Sequence, residues 1–130
     1  MLNNKGQSLI LFIIIMPILL LIMILIVDIG RVYVLKNELQ NISNIVVDYG
    51  LDNIDSIDLE EKMLELVTIN KNNVLYVDID INDRVIYLTL KDNVSGILSS
   101  VIGKSIFEVN VSYMGYMDDG NKRIERVVGD

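Results

Sequence analysis

From Leu9 to Val27 the chain reads LILFIIIMPILLLIMILIV, nineteen residues without one polar side chain. As a helix rising about 1.5 Å per residue, this run spans roughly 28 Å, close to the hydrocarbon thickness of a bilayer. Ile and Val form helices poorly in water, but lipid leaves the backbone no other hydrogen-bond partner. Pro17 removes one backbone donor and predicts a slight kink near Ile13. The run has no amphipathic stripe, which argues against a buried core helix. It is longer than the apolar region of a secretory signal, and Asp28-Ile29-Gly30-Arg31 follows it in place of a small-residue cleavage site. Both features favour a retained anchor.

Beyond Asp28 the pattern becomes periodic. Val32, Leu35, Leu39, Ile42, Val46 and Tyr49 follow alternating spacings of three and four. That is a heptad stripe on a helix in water, with Arg31, Lys36, Asn37, Gln40, Asn41, Asn44 and Asp48 off the stripe. Gly50 is the expected C-terminal stop. One helix from about Ser8 to Tyr49 therefore leaves the bilayer and lays an apolar stripe on something. Its own globular head is the favoured cover, since a coil of about two heptads is marginal in isolation. Neighbouring copies or partner subunits are the other.

Asp52 to Asp58 reads as a polar joint. Asp58-Leu59-Glu60-Glu61 has the form of a capped helix start, and Leu59, Met63, Leu66 and Val67 give one apolar face as far as Ile69. Two alternating runs follow, Val74 to Ile81 and Arg84 to Leu90, with Asn82-Asp83 as a two-residue hairpin turn. Val94 to Ile102 reads as a short helix closed by Gly103. Ile106 to Met114 reads as a third strand with Phe107, Val109, Val111 and Tyr113 on one face. From Asp118 onward the chain is mostly charged and reads as a loose tail. The expected fold class is α+β. A long N-terminal transmembrane helix continues into a small head with roughly three antiparallel strands and two short helices. The expected organisation is a polar leader or cytoplasmic stub at 1–6, a long helix at 7–50, an α+β head at 51–117 and a charged tail at 118–130.

Charge and composition narrow the function. The chain has 11 basic and 18 acidic residues, and Lys5 alone precedes the apolar run, so the rest carries 10 basic against 18 acidic side chains. Such a surface repels nucleic acid. With no Cys and no His, disulfides, thiolate or imidazole metal sites and Cys or His nucleophiles are excluded. Asp78-Ile79-Asp80-Ile81-Asn82-Asp83 starts like a calcium loop, but its sixth position is Asp83 rather than Gly and its twelfth is Thr89 rather than Glu. A hairpin with solvated acids is the better reading. Asp52, Asp55 and Asp58 read as a solvated linker, because gathered like charges repel. The eight Gly are scattered and form no phosphate loop. The expectation is no enzyme, no catalytic residues, no cofactor and no metal.

Asn4-Lys5-Gly6-Gln7-Ser8, the run containing Met16-Pro17-Ile18-Leu19-Leu20, Val27-Asp28-Ile29-Gly30-Arg31 and Leu39-Gln40-Asn41 together resemble TadE-like and TadG-like proteins. These belong to tight-adherence (Flp) pilus systems, a branch of the type IV pilus superfamily. The resemblance covers about Asn4 to Gly50. It implies a pseudopilin or pilus-assembly accessory subunit in a bacterial cell membrane, single-pass, with its C-terminal domain outside. It implies the lipid bilayer and pilin-like or pilus-assembly proteins as partners, with homo- or hetero-oligomers formed through the N-terminal helix. It also implies a prepilin-peptidase cut between Gly6 and Gln7. Leu11 departs from the pattern, standing where cleaved members commonly carry a glutamate. A carboxylate in lipid needs a partner and Leu11 does not, which favours an uncleaved anchor or a filament-tip position. The flanks of the run carry nearly balanced charge, so orientation rests on the resemblance. The alternative function is a membrane-tethered extracytoplasmic binding or sensory module unrelated to pili.

Overall fold

A computed structural model describes residues 4–98 and 106–127. The first element, α1, is one helix over Asn4–Asp52, 49 residues that include Pro17. At about 1.5 Å per residue it is roughly 74 Å long. Its first half is bare. Within Leu9–Val27 no side chain is buried, and Leu9 is 62% exposed. Its second half is the spine of the head. Leu35, Leu39, Ile42 and Val46 are buried, and Val32 and Tyr49 are half-buried against the same core. The heptad stripe is thus covered by the chain's own head.

A joint at 53–58 leads to α2 (Leu59–Asn70), which buries Leu59, Met63 and Val67. Asp58 precedes it but makes no capping bond to the helix backbone. Its carboxylate instead accepts the Ser56 hydroxyl at 2.8 Å and pairs with Lys62 at 3.7 Å. Four antiparallel strands follow in a meander, β1 (Tyr76–Asn82), β2 (Val85–Ser95), β3 (Ile106–Asp118) and β4 (Asn121–Arg126), in spatial order β1-β2-β3-β4. Strand alternation selects the inner face. Ile86, Leu88 and Leu90 from β2, with Val109, Val111 and Tyr113 from β3, are buried beneath the helices. Val77, Ile79 and Ile81 of the edge strand β1 are half-buried, while Tyr76, Asp78 and Asp80 face out. Each fully buried Leu, Ile or Val stabilises the head by about 1.5–3 kcal/mol before chain entropy is counted.

The α+β class is observed, with four strands rather than about three. The additional strand is β4, where a charged tail was expected. Asp119 and Gly120 both have positive φ (49° and 79°), the conformation of a tight hairpin turn. That turn folds Asn121–Arg126 back along β3, pairing Ile124 with Gly115. Charge did not prevent the strand, because Lys122, Arg123 and Glu125 stay exposed while Ile124 alone reaches the core. The first hairpin turn is Asp83-Arg84, one residue later than expected, with φ of 51° and 65° and Asn82 paired to Val85. Val94 and Ser95, expected in a helix, belong to β2 and pair with Phe107 and Ile106. Ile97 and Leu98 are helical, and the remainder of the expected 94–102 helix lies outside the described residues.

Gly50 does not stop α1. It lies inside the helix, where a Cβ would come within 2.6 Å of Ile86 Cδ1 and 2.9 Å of Met63 Sδ. Gly115 is the matching position on the sheet, where a Cβ would run into the Val47 and Leu51 side chains. These two glycines let the C-terminal end of α1 lie close on β2 and β3. Gly115→Ala should therefore lower head stability by about 1–3 kcal/mol, the usual cost of overpacking. Combining it with Val47→Ala should return part of that loss, since the second change makes the room the first needs. Urea midpoints of the full chain in detergent would test both; equal additive losses would show that the two residues do not press on each other.

Candidate functional site

The candidate site is the outer surface of α1 and the junction where its bare half meets the head. Among the described residues no group of three or more acidic side chains is placed to hold a metal ion. Gly6 and Gln7 lie in the first turn of α1, immediately before the apolar run and far along the helix from the head. The stripe residues lie at the other end, inside the core. The structure therefore separates the two sets of residues that the sequence singles out. The helix is long and apolar enough over its first half to cross a membrane.

The junction is built on Asp28, the first charged residue after the apolar run. It is 2% exposed, among the most buried side chains in the molecule. Its two carboxylate oxygens accept backbone N–H groups from the chain that follows β2, Ile97 to Oδ1 at 2.7 Å and Leu98 to Oδ2 at 3.0 Å. Those N–H groups belong to the first helical residues after the strand, donors that have no partner within their own helix. A carboxylate there is the favoured acceptor, for hydrogen bonding and for the dipole alike. Gly96 makes the approach feasible, since any Cβ at that position would collide with the Asp28 carboxylate. One turn along, Arg31 donates from Nη1 to the Ser95 carbonyl at 3.2 Å. Two consecutive turns of α1 thus grip the end of β2.

Above the junction, α1 and the end of β2 border an open cleft of about 550 Å³. Val27, Gly30 and Val34 line it on the helix side and Val94 on the strand side. At its upper end Lys71 sits between Glu38 at 3.5 Å and Asp92 at 3.8 Å. The opposite flank of α1 carries Ile29 and Tyr33, 67% and 65% exposed, so its apolar surface continues past Asp28.

At the far end of the head, Lys122 of β4 reaches Asp52 at 2.7 Å and Asp48 at 2.9 Å on α1. The hydrogen bonds to Asp52 and Asp48 raise the pKa of the lysine. Tyr116 on β3 donates its hydroxyl to Glu125 at 3.1 Å, and that bond raises the pKa of the phenol.

A family model described as Flp pilus-assembly TadE/G-like matches residues 6–43. Over those residues the chain is similar to the TadE/G-like family. The TadE/G-like segment takes in Gly6, the whole apolar run, the Asp28 junction and the stripe as far as Ile42. It stops inside α1, so α2 and the sheet lie beyond it. No curated protein and no solved structure matches the chain. The role of Asp28 was not visible in the sequence as a contact, because Gly96 and Ile97 lie almost seventy residues away in the chain. The available signal was a lone carboxylate ending an apolar run, which must find partners wherever it is buried.

Asp28→Ala should leave the Ile97 and Leu98 N–H groups without their acceptor, at about 1–3 kcal/mol for each if they stay buried. Hydrogen exchange at those two amides should accelerate by more than at the β2–β3 ladder; unchanged exchange would show that another group holds them. Lys122 and Tyr116 act in one direction with pH. Their folded pKa values lie above the unfolded ones, so their stabilisation is present below about pH 10 and is lost as pH rises through the folded values. The β4 amides should therefore lose protection in alkali before those of β2 do. Lys122→Met with Tyr116→Phe should flatten that pH dependence.

Proposed function

We propose that this protein is a membrane-anchored pseudopilin or accessory subunit for assembly of a tight-adherence pilus. The observation that carries this reading is the TadE/G-like match, which falls on the segment that both bares an apolar span and docks the head. The α1 run Leu9–Val27 would hold the subunit in the bacterial membrane, with the head outside. Because the stripe is filled by the chain's own sheet, partners would meet the other flank of α1, at Ile29 and Tyr33, and the span itself. The role is assembly rather than catalysis. Two forms of it differ at Gly6-Gln7. A cut there would place the new N-terminus two residues before the span, as in a filament subunit. An intact Met1 start would leave a permanent anchor, the form that Leu11 favours.

Intact mass and N-terminal sequence of the protein recovered from its native membrane decide between the forms. With Leu11 in place, the expected start is Met1; a start at Gln7 would move the protein into the processed class. Tyr33→Asp should weaken co-purification with pilus-assembly proteins while leaving the urea midpoint of the head unchanged. Undiminished co-purification would remove this flank from the assembly surface.

A further inference from the structure

We propose that the cleft between α1 and the end of β2 binds the headgroup of a membrane aminophospholipid, with the phosphate at Arg31 and the ammonium toward Glu38. This inference rests on the reading of Leu9–Val27 as a membrane anchor.

Height along the helix is the first argument. The apolar run ends at Val27, and Arg31 stands four residues further on, about 6 Å. The polar zone of each leaflet is about 5–7 Å thick, so Arg31 lies at the level of lipid phosphates. The cleft opens beside Val27, at the level where acyl chains end. Gly30 offers no side chain, and nothing lies within 4 Å of where its Cβ would be, which leaves room for a glycerol backbone. Val34, Leu35 and Val94 supply apolar walls.

Charge is the second argument. The nearby acid Asp28 turns both carboxylate oxygens to backbone N–H groups and does not line the cleft, so Arg31 is the charged group that the cleft presents at its lower end. The Arg31 guanidinium has five donors, and the bond to Ser95 uses one nitrogen. At the upper end one cation, Lys71, faces two carboxylates, Glu38 and Asp92. The cleft therefore has a positive lower pole and a surplus negative upper pole. Arg31 and Glu38 are seven residues apart, about 10 Å along the axis. A phosphate joined through two carbons to an ammonium, with a hydrogen bond at each end, spans such a gap. Asp92 is largely buried and Glu38 is exposed, so Glu38 is the group that meets the ammonium. An anionic headgroup without an amine would satisfy Arg31 alone. A choline headgroup has no N–H to donate to Glu38.

The test uses the full chain, reconstituted in vesicles of equal parts phosphatidylethanolamine, phosphatidylglycerol and phosphatidylcholine. Vesicle flotation comes first. The chain is then extracted in mild detergent, and retained lipid is counted by native mass spectrometry. Phosphatidylethanolamine should be retained over the other two by about tenfold, the effect of one charge-assisted hydrogen bond. Arg31→Gln should lower retention of all three, and Glu38→Gln should keep a lipid but erase the preference over phosphatidylglycerol. Val34→Trp changes a side chain that is 65% exposed, so it should fill the cleft and lower retention without shifting the urea midpoint. Equal retention of phosphatidylglycerol, or retention unchanged in Arg31→Gln and Val34→Trp, overturns the site. A chain that fails to float overturns the anchor and the site with it; a chain that floats without selective retention overturns the site alone.

Discussion

One helix has to satisfy two environments, and the changeover between Val27 and Asp28 governs the rest of the molecule. Below it, from Leu9 to Val27, every side chain is apolar and none is buried by protein. Above it, the same helix presents one stripe to a sheet and the other flank to water. A buried carboxylate at the changeover is stable only because two backbone N–H groups arrive to meet it. Gly96 is what lets them arrive. The head is therefore seated directly on the end of the apolar run, with no intervening stalk.

The helix was the most legible part of the chain. A run without polar side chains and a stripe with heptad spacing are both local signals, and α1 joins them as one element. The inner faces of β2 and β3 were equally legible, since the buried Ile86, Leu88 and Leu90 alternate with the less buried Val85, Tyr87, Thr89 and Lys91. What escaped was set by backbone geometry or by distance in sequence. Asp119-Gly120 was a hairpin signal hidden in a charged segment, and with it β4 was missed. Gly50 has the composition of a helix stop, yet it is small because Ile86 and Met63 press on it. Asp28 was legible as part of a family pattern, but its partners lie beyond any window in which periodicity can be read.

The family match and the fold divide the chain at different places. The match ends at residue 43, in the middle of a helix whose next eight residues complete the core. The match thus takes in the span and the junction and leaves out the sheet. The contact made at Asp28 is with backbone N–H groups, which any sequence supplies. The stripe asks only for apolar volume on the facing strands, a requirement that many side-chain sets meet.

The two polar fastenings of α1 have a mechanical meaning. Asp28 holds the chain after β2 near one end of the head, and Asp48 and Asp52 hold β4 near the other. They lie about twenty residues apart on one rigid rod, roughly 30 Å. A pull on the span along its axis would load both fastenings, and the apolar interface between them, at the same moment and in shear. Tension on the bare half of α1 would then be carried by the whole length of the head at once, rather than peeling it away from one end.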